Sequence, residues 1–439
     1  MPARLPSDRT LVAETIAIGS ELLAGGRSDS NSLFITAQLG AQGIDVRFKS
    51  IVGDERADII SVLTTAVRRA GVVIMTGGLG PTVDDCTRDA VARATQRKLA
   101  RRKEALDGIT ARLAQWGRTP SAAQLRQALI PSGALVLRNP VGSDPGFALA
   151  WKGAFVIALP GVPREMEAMM RESVIPFVTE QLLQSTTTRP HPIIRSVFHT
   201  WGLPEADVDA ALQGLIPKRA PVTLGLLASP MGVVVSLTSR PHRSADRLFM
   251  ESLEQGVRAR LQEWLFAEGS DTMEAVVGRL LSQRGLTVAV AESCTGGLIS
   301  HRLTQVPGSS AYVDRSAVCY SNRAKTEMLG VSAELITRHG AVSVEVAAAM
   351  AEGIRRRAGV SVGLSVTGIA GPGGATETKP VGLVCIGLSA GSGGALTKEF
   401  RFHGDRSMIK QRSSQAALDL LRRWLLASAE NLSYVTREL

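Results

Sequence analysis

Short continuous apolar runs alternate along this chain with stretches whose apolar residues recur about every 3.6 positions. Residues 11–19 (LVAETIAIG) form an apolar run of strand length. Residues 33–40 have helical spacing, and the preceding Ser28-Asp29-Ser30-Asn31-Ser32 supplies side chains that cap a helix. Residues 44–52 predict a second strand, 58–70 a helix, 71–75 a short buried strand and 155–159 a further strand. This β-α-β-α-β order predicts a doubly wound, mostly parallel sheet.

The pattern weakens between Glu172 and Gly269. Residues 184–192 are polar, with three threonines and two prolines, and resemble a linker. Residues 222–239 predict two strands around the hairpin signal Ser229-Pro230-Met231-Gly232, and 247–266 an amphipathic helix. From Asp271 the alternation resumes. Helices are predicted over 271–284, 298–305, 344–357 and 406–426, and strands over 287–291, 315–319, 360–366, 381–388 and 396–402. The expected architecture is α/β: two doubly wound α/β domains, 1–175 and 270–439, joined by a small α/β connector over 176–269.

A chain of 439 residues is too long for one core, which agrees with that division. With 44% hydrophobic and 21% charged residues it has the composition of a soluble globular protein, and no apolar run is long enough to span a bilayer. MPARLPSDRT lacks the apolar core of a signal peptide, so the cytoplasm is expected and no membrane partner. Cys86, Cys294, Cys319 and Cys385 are scattered without a C-x-x-C pair, which argues against a disulfide framework or a zinc site. The net charge of +10 is spread along the chain and only 4% of residues are aromatic. Anionic small molecules therefore suit it at least as well as nucleic acid.

The candidate chemistry gathers where strands are predicted to end. After the strand Thr287-Val288-Ala289-Val290-Ala291, the sequence Glu292-Ser293-Cys294-Thr295-Gly296-Gly297 leads into a helix. Unpaired N–H groups and the helix dipole favour negative charge there, so a hydroxyl or thiol suits a nucleophile beside an oxyanion site. A simple helix cap would use the same residue types. Tyr320-Ser321-Asn322 ends the next strand with Lys325 one turn beyond, and Thr367-Gly368-Ile369-Ala370-Gly371-Pro372-Gly373-Gly374 ends another. In the first half, Thr76-Gly77-Gly78-Leu79-Gly80-Pro81-Thr82-Val83-Asp84-Asp85 follows the third strand. Its glycines can bring backbone N–H groups to a phosphate, and its carboxylate pair can hold a bridging divalent cation. Pro160-Gly161-Val162-Pro163-Arg164-Glu165-Met166 forms a rigid strand-to-helix corner able to line the same cleft.

These motifs, in this order, resemble the CinA (competence/damage-inducible protein A) family, whose AESCTGG, YSNxxK, VTGIAGPGG and GDR signatures all stand here. The resemblance runs from Ile18 to about Leu426. It implies a molybdopterin-binding-like (MoaB/MogA-like) first domain associated with metal-dependent ADP-ribose pyrophosphatase activity, a KH-like connector, and a last domain resembling nicotinamide mononucleotide deamidase. It implies nicotinamide mononucleotide and ADP-ribose as small-molecule partners, and it places the catalytic serine at Ser293.

Deamidation is acyl transfer to water, and no histidine stands in the motifs, so a Ser-Lys pair is expected: Ser293 attacking, Lys325 as base, Tyr320 relaying or orienting the proton. Backbone N–H groups of Cys294, Thr295, Gly296 and Gly297 would form the oxyanion site. Thr367, Gly368, Gly371 and Gly373 would hold ribose and phosphate, with Arg406 on the phosphate. Thr76, Gly77, Gly78, Gly80, Thr82, Gly161 and Glu165 are the candidate nucleotide contacts of the first domain, and Asp84 and Asp85 its metal ligands. The deamidase needs no cofactor in this reading, and a homodimer is the expected assembly. Two other readings stand beside it: a first domain that only binds a nucleotide or pterin, and a DNA-uptake or repair partner. No G-x-x-G loop in the middle region supports the second.

Overall fold

The structure is a computed structural model that describes residues 12–185, 192–240, 244–391 and 394–427. Two compact units divide them, one running to Ile194 with Ser239–Leu248, the other comprising Arg195–Thr238 and the chain from Phe249.

In the first unit every residue of strand β1 (Val12–Ile18) is buried. Helix α1 (Ser30–Ala41) follows, capped by Asp29, whose carboxylate accepts from the Ser32 N–H at 3.0 Å. Next come β2 (Asp45–Val52), α2 (Arg56–Arg69), β3 (Val72–Thr76) and α3 (Thr87–Ala94). Strands β4 (Leu135–Leu137), β5 (Gly146–Trp151) and β6 (Ala154–Leu159) complete a sheet of order β2-β1-β3-β6-β5-β4. The four strands β2, β1, β3 and β6 are parallel, and β5 and β4 add antiparallel pairing at one edge. Fully buried Ile16, Ile59, Leu63, Ile74 and Ile157 pack the two faces. Each such side chain contributes roughly 1.5–3 kcal/mol by leaving water. Pro163 opens helix α4 (Pro163–Met169), as its fixed φ favours, and α5 (Ile175–Ser185) ends this part. Of the predicted linker over 184–192, positions 186–191 lie outside the described residues.

All but the first residue of β7 (Ile194–Thr200), then α6 (Glu205–Leu212), β8 (Val222–Ser229) and all but the last residue of β9 (Gly232–Ser239) open the second unit. Helix α7 (Ser244–Leu261) stops earlier than the pattern over 247–266 predicts. Gln262 takes φ 35°, a short 3-10 turn follows, and Leu265–Glu268 becomes strand β10, paired antiparallel with β7. The resulting sheet has the order β8-β9-β7-β10.

The remaining elements are α8 (Met273–Arg284), β11 (Val288–Glu292), α9 (Leu298–Thr304), β12 (Val313–Val318), α10 (Asn322–Leu329), α11 (Ala333–His339), α12 (Val344–Ala358), β13 (Val362–Gly368), β14 (Leu383–Ala390), β15 (Ala395–Arg401) and α13 (Arg406–Leu426). Their sheet has the order β12-β11-β13-β14-β15, with β12, β11 and β13 parallel and the last two strands antiparallel. Strand β11 sits inside the sheet with all five residues buried, so the loop after it emerges at the sheet's carboxyl edge. Among the described residues no helix is long and apolar enough to cross a membrane.

Candidate active site

Strand β11 delivers Glu292, a carboxylate with no exposed surface. Burial of a charge requires partners, and the chain turns so that Glu292 finds them. Its oxygens accept from the N–H groups of Gly297 (2.9 Å), Ile299 (3.1 Å) and Ser300 (2.9 Å), and from the Ser300 hydroxyl at 2.5 Å. Gly296 at φ 62° and Gly297 at φ 94° supply the left-handed backbone that this return needs. The intervening Ser293 is held to β13 by its N–H, which donates to the Val366 carbonyl at 3.0 Å.

Ser293 Oγ lies 3.1 Å from Lys325 Nζ, which also donates to the Cys319 carbonyl at 3.0 Å. Lys325 comes from the second turn's start of α10, a helix capped by the Ser321 side chain. It is only 2% exposed, and that burial lowers its pKa from the ordinary lysine value. Burial thus favours the neutral amine, the form in which Lys325 can act as general base towards the serine hydroxyl.

Cys294, by contrast, is 5% exposed and its thiol is pushed up to about 12 by burial. A Cβ at Gly368 would come within 3.0 Å of its sulfur, so that glycine is where β13 makes room for the thiol. Thr295 is fully buried and its hydroxyl has no partner among the described residues.

Other expected positions are placed differently. The Gly297 N–H belongs to Glu292, the Gly296 N–H donates to the Ser293 carbonyl and Thr295 has no exposed surface, which leaves the Cys294 N–H for an oxyanion. Tyr320 is exposed, and its hydroxyl accepts from Arg406 at 2.5 Å rather than meeting Ser293 or Lys325. Arg406 also donates to the Gly371 carbonyl at 2.7 Å, tying the start of α13 to the glycine loop after β13. The Thr367 hydroxyl donates to the Ala341 carbonyl at 2.8 Å. Gly371 adopts φ 78° ahead of a cis bond to Pro372, and Gly373 stands in open space.

In the first unit the loop after β3 is equally ordered from within. A Cβ at Gly77 would fall 2.1 Å from the Ile18 carbonyl oxygen, and one at Gly78 2.2 Å from the Thr87 hydroxyl. Gly161 approaches Gly77 so closely that its own Cβ would stand 3.3 Å from the Gly77 Cα. The two motifs thus meet, and Thr76 and Gly161 line a cavity of about 210 Å³ together with Asn31. The donors foreseen for phosphate are partly spent. Asp85 accepts from the N–H groups of Gly80 and Thr82, each at 2.8 Å, and from the Thr82 hydroxyl at 2.5 Å. Asp84 is exposed. Among the described residues no group of three or more His, Cys, Asp or Glu side chains comes together to hold a metal ion. Glu165 accepts from Asn139 at 2.6 Å, and burial raises its pKa.

Three family models match in succession: the probable molybdopterin binding domain over residues 14–180, the damage-inducible protein CinA KH domain over 195–267, and the CinA C-terminal domain over 270–425. A CinA-like protein of Geobacter metallireducens is 42% identical over 415 residues, covering 94% of this chain and 98% of its own. The chain belongs to the CinA family. A CinA-like protein of Geotalea uraniireducens is 40% identical over 416 residues, 94% of this chain and 97% of that one. Among solved structures, the competence/damage inducible protein CihA of Agrobacterium tumefaciens is 43% identical with a TM-score of 0.34, over 35% of this chain and 94% of its own.

Two residues of this CinA chain carry parts of the site that its sequence pattern did not single out. Glu292 is visible in the motif, but a carboxylate ending a buried strand gives no hint that it will fold back on the next helix. Lys410 stands one turn after Arg406 in α13, and a Cβ on Gly296 would lie 3.6 Å from its ammonium. The signal was the i, i+4 spacing of two cations on one helix face.

Proposed function

We propose that the second unit hydrolyses the carboxamide of nicotinamide mononucleotide to nicotinate mononucleotide and ammonia. The observation that supports it is the buried Lys325 amine 3.1 Å from the Ser293 hydroxyl, at the end of the central strand. Lys325 in its neutral form takes the hydroxyl proton while Ser293 Oγ bonds to the amide carbon. The oxyanion that develops accepts from the N–H group of Cys294. Lys325 then returns its proton to the departing nitrogen, the C–N bond breaks, and ammonia leaves an ester on Ser293. Water, deprotonated by the same amine, attacks that ester and frees the acid and the serine. Nothing in this sequence needs a metal or an organic cofactor.

Tyr320 and Arg406 act at the mouth of the cleft in this reading, where the Arg406 guanidinium is held in place to meet a phosphate and Lys410 adds a second cation. The test is ammonia release from nicotinamide mononucleotide by the full chain with chelator present. No release, or undiminished release by the Ser293→Ala protein, ends the proposal.

For the first unit we propose nucleotide binding at the cavity between the loop after β3 and the corner at Gly161, with ADP-ribose as the nucleotide. A divalent cation, when bound, would offset charge on the phosphate bridge. The carboxylate pair fits such an ion poorly, because Asp85 is committed to its own loop and Asp84, though exposed, accepts a hydrogen bond from Thr82. AMP release from ADP-ribose by the full chain, with and without divalent cation, separates turnover from binding alone. Homodimer formation stays part of the proposal and is checked by light scattering.

A further inference from the structure

The turn after β11 offers an oxyanion a single backbone donor. Gly296 and Gly297 give their N–H groups to the Ser293 carbonyl and to Glu292, Thr295 has no exposed surface, and Cys294 alone is left. A carbonyl that takes on a full negative charge is stabilised by several fixed donors aimed at it, so one is few. A cation from α13 stands over the same turn.

That cation is Lys410, one helical turn after Arg406. Asp405 caps α13 by accepting from the Met408 N–H at 2.8 Å. Ile409, 1% exposed, packs into the same core cluster as Cys294. The backbone beneath Lys410 is therefore held to the core that holds Cys294. A Cβ on Gly296 would lie 3.6 Å from Lys410 Nζ, an ordinary contact distance, so the ammonium rests over the turn itself. Its charge is felt at Cys294. Burial sets that thiol's pKa high, Lys325 and Lys410 draw it down, and Glu292 raises it. Arg406, by contrast, is tied to Tyr320 and to the Gly371 carbonyl. Lys410 is half-buried and has no hydrogen-bond or ion-pair partner among the described residues.

We propose that Lys410 is a catalytic residue of the serine centre, its ammonium completing the oxyanion site that the Cys294 N–H begins. This role rests on the acyl transfer at Ser293 proposed above, and it is narrower than that of a second cation at the cleft mouth. As Ser293 Oγ bonds to the carboxamide carbon, the carbonyl π pair moves onto oxygen, which accepts from the Cys294 N–H and from Lys410 Nζ. The pair returns to carbon as the C–N bond breaks. Lys410 keeps its protons throughout, so the proton transfers stay with Lys325. Because the charge it meets appears only as the reaction proceeds, Lys410 acts on turnover and not on substrate affinity.

The test is a split between kcat and KM in the full chain, with nicotinamide mononucleotide as substrate. Lys410→Met keeps the unbranched side chain and removes its charge, and an unpaired ammonium can be lost without disturbing the fold. kcat should fall about a hundredfold or more, the effect of one lost oxyanion donor, while KM stays within about threefold. Lys410→Arg keeps a donor and should recover part of the loss. A second readout does not depend on the substrate. A fluorophosphonate bonds its phosphorus to a nucleophilic serine and loses fluoride, with charge gathering on its P–O oxygen. Labelling of Ser293, followed by mass spectrometry, should slow by a similar factor in Lys410→Met. If the wild-type chain releases no ammonia but is labelled, the substrate is wrong and the labelling rates decide the role of Lys410. A KM raised about tenfold or more with kcat retained would give the ammonium to the phosphate and overturn the proposal. So would an unchanged kcat together with an unchanged labelling rate. A wild-type chain that is neither active nor labelled overturns the serine centre and the role of Lys410 together.

Discussion

In the first unit the carboxylate of Asp85 folds back onto the N–H groups of Gly80 and Thr82; in the second the carboxylate of Glu292 reaches forward onto those of Gly297, Ile299 and Ser300. Both loops follow a buried strand, both need left-handed glycines, and both use an internal anion to satisfy amide donors that would otherwise be open to a phosphate. The difference lies in what each loop leaves over. Asp85 comes from beyond its loop and closes it on itself. Glu292 comes from the strand before, so the residue between the carboxylate and the turn, Ser293, is pushed against the buried amine of Lys325. A glycine loop at a strand end is therefore a scaffold, and chemistry follows only where a hydroxyl meets a base inside it.

The largest expected effect breaks the second loop's pairing. Ser293→Ala and Lys325→Ala should each lower deamidation about a thousandfold or more, and the double variant should be little worse than either, since the pair acts as one unit. Activity of the first unit should be untouched. The pH profile carries the same information. Burial lowers the Lys325 pKa from 10.5, and the base works when neutral, so the rate should rise with pH and level off above the lowered value. Stability should rise in the same direction between that value and 10.5, because the unfolded chain binds the extra proton there. A rate that falls as pH rises from neutrality would remove Lys325 as the base.

The next effect loosens the clamp without touching the pair. Glu292→Gln replaces a charged acceptor of four hydrogen bonds by a neutral amide whose NH2 faces donors. The cost to stability should be about 2–3 kcal/mol, with turnover reduced roughly tenfold to a hundredfold through misplacement of Ser293. Thermal denaturation and steady-state kinetics read the two separately; normal turnover in a destabilised protein would make Glu292 purely structural.

Smaller still is the contrast between two neighbours in the first loop. Asp85→Asn should cost about 1–2 kcal/mol, because it disturbs the bonds to Gly80 and Thr82. Asp84→Asn, at an exposed position, should leave thermal stability unchanged and lower only cation-dependent AMP release. Equal loss of stability in both would show that Asp84 is part of the clamp.

Much of the framework was legible before any coordinates. Strand-length apolar runs placed β1, β3, β6 and β11, and the Ser28–Ser32 stretch announced the cap that Asp29 provides. Motif position also brought Ser293 and Lys325 together, since both follow adjacent parallel strands. The pattern hid elements of two kinds. β4 has only three residues, too few for a period to show, and β5 joins β6 by a tight antiparallel hairpin that the apolar runs did not mark. Leu265–Glu268 continues a helical pattern but is captured as a strand by β7. Thr367 and Tyr320 have the right chemistry for substrate, yet their hydroxyls go to Ala341 and Arg406, which lie 26 and 86 positions away.

The smallest effect concerns the thiol next to the nucleophile. Thiols are the better nucleophiles in general, and a helix start would favour a thiolate. At Cys294 burial wins over both, for the pKa is pushed up to about 12, so almost no thiolate exists near neutrality. Its sulfur packs against Gly368, 3.0 Å from where a Cβ would stand, as a small apolar group rather than a reagent. Cys294→Ala should then keep most of the turnover and cost about 1 kcal/mol through the small void it leaves. Iodoacetamide should leave Cys294 unlabelled in the folded chain. Loss of turnover in Cys294→Ala with retention in Ser293→Ala, or trapping of an acyl group on the sulfur, would transfer the nucleophile from oxygen to sulfur and leave Lys325 beside the wrong residue.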